Sequence, residues 1–206
     1  MKMSSGKASS EKQRAARLPQ RKRGRERVAS LLAAAASCFL DKGYDAATMT
    51  EIAERAGASI GSLYLFFPTK QALARSLLSN LADELSGRLE AMKAATAGRS
   101  AAAIADALFD ALNGFIAANP VYSLLIDVTG DERWRQVVRA QRRRQIADLF
   151  ARAEPPLGAR QAQRLAVIVP HFMRISLLQG EAGSPSREAI LEELRLMLRR
   201  HLESGG

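Results

Sequence analysis

The sequence predicts an all-α protein, in which a small N-terminal head of three helices precedes a larger helical domain. Apolar residues recur at helical spacing along nearly the whole chain, and glycine or proline separates the helices. No segment alternates apolar and polar residues as a half-buried strand does. With 206 residues, 47% of them hydrophobic and 25% charged, the chain can bury a globular core.

The first helix with a clear apolar period begins near Val28 and ends at Gly43. Its inward-facing residues are Val28, Leu31, Leu32, Ala35, Ala36, Phe39 and Leu40. Cys38 is the only cysteine and lies beside Phe39, so we expect a buried small side chain there, not a redox site or a zinc ligand.

A capping-box pattern, Thr48 followed by Glu51, predicts the start of a second helix. Ile52 and Ala53 give this helix an apolar face with room for the close approach of another helix. Gly57 should end it, because glycine adopts the left-handed backbone conformation without strain.

Ser59 can cap a third helix, Ile60–Phe67. Leu63 and the phenylalanine four residues later should face inward, which leaves Ser62 and Tyr64 outward. Two short helices joined by a glycine turn, the second with small polar and aromatic groups outward, form the plan of a helix-turn-helix that reads the DNA major groove.

The first 27 residues contain ten lysines or arginines against two glutamates, and thus carry +8 of the formal net charge of +10. We expect residues 1–23 to form a flexible basic arm that follows DNA phosphates or enters a minor groove. The alternative for such a segment is a solvated tail that binds nothing.

Residues from about Arg25 to Leu73 resemble the N-terminal signature of the TetR family of bacterial transcriptional regulators. The residues that carry the resemblance are Gly43, Tyr44, Ile52, Ala53, Ala56, Gly57, Ser59, Gly61, Leu63, Tyr64, Phe67, Lys70, Gln71, Ala72 and Leu73. Two positions depart from the family pattern: Ile60 stands where a polar or basic residue is frequent, and Phe66 where histidine or tyrosine is frequent.

The resemblance implies a two-domain, all-helical homodimer, most often a repressor that a small molecule releases from double-stranded operator DNA. Residues 24–68 would bind DNA, and residues 69–206 would bind the effector and dimerise. The residues expected to contact DNA are Ser59, Ile60, Gly61, Ser62 and Tyr64 on the recognition helix, Thr48, Thr50 and Lys70 at phosphates or groove edges, and Arg21, Lys22, Arg23 and Arg25 in the arm.

Further helices are predicted after Pro68, and their approximate ranges are 69–92, 101–119, 122–128, 131–154, 159–179 and 185–202. The helix 159–179 is apolar around more than one face, so we expect a second subunit to cover it. The expected dimer contacts are Leu165, Ile168, Phe172, Ile190, Leu194 and Leu198.

Large apolar and aromatic residues recur on the helices of the second domain and predict a chamber for a small, lipophilic effector. The expected lining residues are Leu108, Leu112, Phe115, Tyr122, Trp134, Val138 and His171. The alternative is that these side chains fill a core of normal density. For His171, the sequence favours a core or interface position, with the ring bonded to a backbone carbonyl, over a place in the chamber lining.

An enzyme is not expected. Gly57-Ala-Ser59-Ile-Gly61 matches the G-x-S-x-G nucleophile motif, but that motif follows a strand and here a helix precedes it. No phosphate loop, dinucleotide motif or pair of metal ligands is visible, so we expect no cofactor and no metal. Without an apolar signal segment or a membrane-length apolar run, the cytoplasm is the expected location. A second possibility is a helix-turn-helix protein whose body binds a macromolecular partner and no effector.

Overall fold

The computed structural model describes residues 6–128, 132–175 and 186–203; within these ranges, the side chains of residues 6–21, 127, 172–175 and 187 are not described. The described residues form nine helices and no strand, which confirms the all-α prediction. The helices are α1 (Gly6–Ala46), α2 (Met49–Arg55), α3 (Ile60–Phe66), α4 (Lys70–Ala95), α5 (Ala101–Ala118), α6 (Pro120–Val128), α7 (Glu132–Ala151), α8 (Ala159–Ile175) and α9 (Arg187–Glu203).

The chain divides into two compact units, Met1–Leu77 and Leu78–Gly206. The boundary expected after residue 68 therefore lies earlier than the observed one, because the first turns of α4 belong to the first unit. Leu73 and Ala74 of these turns are fully buried.

Helix α1 is longer than the sequence predicts. It begins at Gly6, so the segment expected to be a flexible arm has a helical backbone instead. Lysine, arginine, glutamine and alanine dominate this segment, and all four have high helix propensity. Gly43 adopts φ 80°, and this non-helical conformation separates the last residues of α1 from the rest.

The start of α2 is the predicted capping box. The Thr48 hydroxyl accepts a hydrogen bond from the Glu51 backbone N–H at 3.3 Å, and the Glu51 carboxylate accepts one from the Thr48 N–H at 3.1 Å. Lys42 of α1 pairs with the same carboxylate. These hydrogen bonds, first from Lys42 and then from Thr48, lower the pKa of Glu51 from its ordinary value of 4.5 to about 2.

In the second unit, α5 packs against α6, α7, α8 and α9, and α7 packs against α8. Its apolar residues face these neighbours, and seven of its side chains are buried. Ala101–Ala118 is long and apolar enough to cross a membrane by length and mean hydropathy, 1.4, although Asp106 and Asp110 interrupt its apolar residues. The packing of α5 among four helices accounts for that apolar character.

Polar contacts fix the helices of the second unit to one another. Arg195 of α9 donates hydrogen bonds to Asp106 at 2.8 Å and to Asp110 at 2.9 Å, both on α5. Between α4 and α7, the Ser86 hydroxyl lies 3.0 Å from the side-chain nitrogens of both Gln141 and Gln145. Because these bonds are directional, they define the register of the helices that they join.

Two leucines on α3 give a direct test of which face is buried. Leu63 is fully buried and Leu65 is 81% exposed. Leu63→Ala should destabilise the first unit by about 2–5 kcal/mol, because it leaves a cavity, and Leu65→Ala should change stability little. Amide hydrogen exchange of α2 and α3 in the full chain measures the effect where it arises; equal loss of protection in both variants would contradict the described facing of α3.

The lowered pKa of Glu51 predicts an acid-dependent stability of the first unit. Because this pKa is lower in the folded than in the unfolded state, its stabilising effect is complete above about pH 4.5 and is lost as the pH falls towards 2. In Glu51→Gln, the stability of α2, measured by hydrogen exchange, should fall less as the pH drops from about 4.5 towards 2. Glu54→Gln is the matched control, since Glu54 is exposed on the same helix and makes no ion pair with the described residues. If α2 of Glu51→Gln still loses stability in acid as the parent does, the Glu51 carboxylate is not the cause.

Candidate nucleic-acid interface

The turn between α2 and α3 is held from α1. Arg27 donates a hydrogen bond to the Gly57 carbonyl at 3.3 Å, and Ser30 donates one to the Ala56 carbonyl at 3.2 Å. Gly57 itself adopts φ 61°, the left-handed conformation that the sequence predicts. These contacts satisfy the carbonyls at the end of α2 and fix the direction in which α3 leaves the turn.

Helix α3 begins at a serine cap, as predicted: the Ser59 hydroxyl accepts a hydrogen bond from the Ser62 backbone N–H at 3.2 Å. Tyr64 is 49% exposed and Ile60 39% exposed, whereas Ser62 is half-buried. The outward face is therefore more apolar than expected. The most exposed apolar residue on it, Leu65, was missed by the sequence reasoning, although it lies four residues after Gly61 and so on the same face.

Lys70 does not point a free ammonium group at DNA. Its three N–H donors bond the carbonyls of Tyr44 and Asp45, both at 2.8 Å, and of Ala47 at 2.9 Å. The ammonium group also lies 4.8 Å from the centroid of the Tyr44 ring. Since all three donors are used, the expected phosphate contact is replaced by a structural role: Lys70 caps the end of α1.

Arg55, the last residue of α2, is likewise held by contacts within the first unit. Arg55 bonds Ser37 at 2.7 Å and pairs with Asp41, both on α1. Burial raises the pKa of the Cys38 thiol beneath this pair, in keeping with a buried, unreactive cysteine. Thr48 and Thr50 are exposed, as a contact with DNA requires.

Three basic residues near the start of the described part of α1, Lys22, Arg23 and Arg25, are exposed and available for phosphates. Lys22 forms only a long ion pair with Glu26, at 3.9 Å. Arg23 and Arg25 are exposed, and the structure describes no acidic partner for either. The side chain of Arg21 lies outside the described part of the chain.

The residues expected to line an effector chamber fall into two groups. Leu108, Leu112, Phe115 and Tyr122 are buried, and the rings of Phe115 and Tyr122 meet edge to face at 5.2 Å. Trp134 and Val138 are half-buried, and His171 is exposed on α8. The expected lining residues thus differ in burial, and the described ring contact joins only Phe115 and Tyr122.

Two arginines that are not among the expected lining residues lie on this aromatic pair. Arg142 of α7 donates a hydrogen bond to the Tyr122 hydroxyl and lies 5.7 Å from its ring centroid. Arg88 of α4 lies 5.4 Å from the Phe115 ring centroid. The next two residues of α7, Arg143 and Arg144, are exposed, whereas Arg142 is half-buried, because successive residues of a helix point in different directions.

The residues expected at a dimer interface are only partly on the surface. Leu165 and Leu198 are buried within the chain itself, and Ile190 and Leu194 are half-buried. Ile168 is exposed, and the side chain of Phe172 is outside the described part. An open groove of about 480 Å³ runs along this side of α8, and its lining residues are Arg160, Gln163, Arg164, Val167 and Ile168.

The chain matches two family models. Residues 31–77 match the model for bacterial regulatory proteins of the tetR family, and residues 100–202 match the tetracyclin repressor-like C-terminal domain. The first match covers α2 and α3, and with them Thr48, Thr50 and the exposed face of α3. The second covers most of the second unit.

Among curated relatives, the chain is similar to the transcriptional activator FasR of Mycolicibacterium smegmatis, with 42% identity over 87 residues, or 41% of this chain and 40% of FasR. It is also similar to the transcriptional repressor KstR2 of the same organism, with 40% identity over 60 residues and 29% of each protein. The chain thus matches less than half the length of these relatives.

Solved structures extend the likeness over most of the chain. A TetR/AcrR regulator from Thermobifida fusca has a TM-score of 0.66 at 20% identity, covering 84% of this chain and 97% of that one. FadR from Bacillus subtilis, solved with stearoyl-CoA, has a TM-score of 0.59 at 17% identity, covering 82% and 96%. At these identities the likeness shows the fold. Together with the family models, it establishes that the chain belongs to the TetR family of helix-turn-helix transcriptional regulators, which are not enzymes.

Proposed function

We propose that this protein is a repressor that binds a near-palindromic operator as a homodimer and is released when a small, lipophilic effector binds its second unit. The observation that carries the proposal is the exposed face of α3, which α1 holds in place through Arg27 and Ser30. A short helix with one face buried and the other free is the arrangement that enters a major groove. Because its ligand is chromosomal DNA, we place the protein in the cytoplasm.

The DNA contacts divide by chemistry. Ser59, Ser62, Tyr64 and their neighbours on α3 would contact base edges, and Thr48 and Thr50 would contact phosphates at the edge of the groove. Lys22, Arg23, Arg25 and the rest of the basic segment would bind phosphates without sequence preference. Lys70 acts indirectly in this arrangement, because it holds α1 and the first turn of α4 together.

Charge and apolar exposure support dimerisation through α8 and α9. The α8 groove has arginines on its rim, Arg160 and Arg164, and α9 exposes Glu192 and Glu193. A two-fold axis that places α8 of one subunit against α9 of the next would pair these opposite charges.

The same faces expose apolar side chains that a partner would cover. They are Val167 and Ile168 on α8, and Leu196 and Met197 on α9. The proposed interface thus uses other faces of α8 and α9 than the sequence led us to expect, since Leu165 and Leu198 are buried in the core of the chain itself. A dimer would set two α3 helices about one DNA turn apart, roughly 34–36 Å, or a multiple of this spacing.

For effector binding, the support comes from the aromatic pair Phe115 and Tyr122 with Arg88 and Arg142 beside it. Aromatic side chains suit a lipophilic molecule, and the guanidinium groups would donate hydrogen bonds to an anionic group on it; for Arg88, these bonds would replace its ion pair with Glu84. FadR of Bacillus subtilis, which shares this fold, was solved with stearoyl-CoA. An acyl compound is therefore the first ligand class to screen.

Release would follow from population shift: an effector that prefers a conformation unable to hold two half-sites depletes the DNA-binding one. Helix α4 contributes residues to both units, and in the second unit Ser86 joins it to α7. A ligand that moves α7 would therefore act on α4.

Selection of bound sequences from a random DNA pool tests the proposal, followed by a screen of acyl compounds for release of the selected operator. A near-palindrome and a releasing compound are expected. Specific DNA binding without any releasing compound would favour a body that binds a macromolecular partner. Expression of a reporter gene under the operator shows whether the protein represses or activates transcription; FasR, to which the chain is similar, is named an activator.

Removal of residues 1–20 should weaken binding to every DNA sequence and flatten the dependence of affinity on salt, while sequence preference is kept. The reason is that phosphate contacts release counterions and carry no sequence information. Titrations at several salt concentrations measure the slope. The control is the pair Arg143→Gln and Arg144→Gln, which removes exposed charge from α7 and should leave the slope unchanged. Loss of preference with intact affinity for random DNA would make the arm a base reader.

Ile168→Asp should shift the protein towards monomers or insoluble material and lower operator affinity, because it places a charge in the proposed interface. Analytical ultracentrifugation at micromolar concentration measures the oligomeric state. Val137→Asp, at a residue that is 60% exposed on α7, is the matched control. A folded monomer of the unmodified chain under these conditions would refute the homodimer.

A further inference from the structure

The outward face of α3 lacks the side chains that usually read bases by paired hydrogen bonds. Its exposed positions are Ile60, Gly61, Tyr64, Leu65 and Phe66. Ile60 lies beside Tyr64, and Gly61 beside Leu65, because residues four apart share a helix face. No lysine, arginine, asparagine or glutamine occurs in α3. Bidentate contacts to guanine or adenine require such side chains, so this face must read DNA by another means.

Gly61 offers a second, independent observation. Its φ is not positive, and a Cβ atom built there would meet no atom within 4 Å. Glycine in a helix costs about 1 kcal/mol relative to alanine, and nothing inside the chain requires it at this position. An exposed glycine lets another molecule approach the helix backbone more closely than any other residue would, and Gly61 lies on the face of α3 that is free to meet DNA.

We propose that Ile60 reads the C5-methyl groups of thymines in the operator, and that Gly61 lets the α3 backbone come close enough for that contact. The thymine methyl is the apolar group that base pairs present in the major groove. Tyr64 and Leu65 would border the contact, with the apolar surface of Leu65 covered by the groove wall. This inference rests on the proposed DNA-binding function.

Duplex DNA is the occupant that the first unit favours for this apolar face. The exposed Lys22, Arg23 and Arg25 lie in the same unit, and the first 27 residues carry +8 of the net charge. A protein partner of this face would have to tolerate that positive field, whereas DNA is attracted by it. The cations then bind the phosphates of any DNA sequence, and the apolar residues of α3 distinguish thymine from the other bases in the groove.

Replacement of single thymines by deoxyuridine tests the proposal on the DNA side, because it removes one methyl group and keeps base pairing. In the operator selected from the random pool, one or two positions per half-site should lose about fourfold in affinity, the equivalent of roughly 0.8 kcal/mol per buried methyl-sized group. In Ile60→Ala the same substitution should have little effect, since the partner of the methyl group is gone. Val137→Ala is the matched control and should keep the full sensitivity.

Gly61→Ala tests the close approach, and its two expected effects have opposite signs. The variant should protect α3 against hydrogen exchange more strongly, by up to about fivefold, because alanine favours the helix. Operator affinity should fall at least tenfold, since the added methyl group keeps the backbone away from the bases. A merely structural glycine would change both quantities in the same direction.

The outcomes separate this inference from the function on which it rests. If the protein selects no DNA sequence, the proposed function fails and the inference with it. If it selects an operator but tolerates deoxyuridine at every position, or if Gly61→Ala binds as well as the parent, the methyl contact is wrong and the DNA-binding function stands. Sensitivity that disappears in Ile60→Ala supports the inference.

Discussion

The ammonium group of Lys70 connects three parts of the first unit at one point. Lys70 is the first residue of α4, and its ammonium group bonds two carbonyls at the end of α1, those of Tyr44 and Asp45, and the carbonyl of Ala47, which directly precedes the capping box of α2. A helix end leaves carbonyls without partners, and a cation there also interacts well with the helix dipole. The position of α2, and through the Gly57 turn that of α3, depends on this fixed end of α1. A residue outside the DNA-contacting surface thus determines how the recognition helix is presented.

The sequence predicted the parts of the fold that depend on local chemistry. The caps at Thr48 and Ser59 and the left-handed Gly57 occur as expected, because each needs only residues within a few positions of one another. It predicted less well what depends on packing between distant segments. Whether Lys70 points to DNA or to α1 is decided by carbonyls more than twenty residues away, which no local pattern records.

The candidate surfaces of the second unit show the same limit. Helix α8 is apolar on several sides, so periodicity alone could not decide whether Leu165 or Ile168 faces the core; packing against α5 and α7 buries Leu165. On α7, the run of arginines from Arg142 to Arg144 does not by itself show which member turns inward. The hydroxyl of Tyr122, twenty residues away, draws Arg142 inward. The assignment of such residues to core, ligand or partner follows from the fold and not from residue type.

The cluster of Ser86, Gln141 and Gln145 between α4 and α7 consists of one hydroxyl and two amides, none of which carries charge or titrates in the physiological range. Hydrogen bonds between neutral groups are nearly insensitive to ionic strength, whereas phosphate contacts depend on it steeply. The affinity for DNA and the strength of these hydrogen bonds between α4 and α7 therefore respond differently to ionic strength. A change in salt would alter how tightly the protein holds DNA and leave these hydrogen bonds as they were, whereas the Lys93–Asp148 ion pair between the same two helices, at 3.5 Å, would weaken as salt rises.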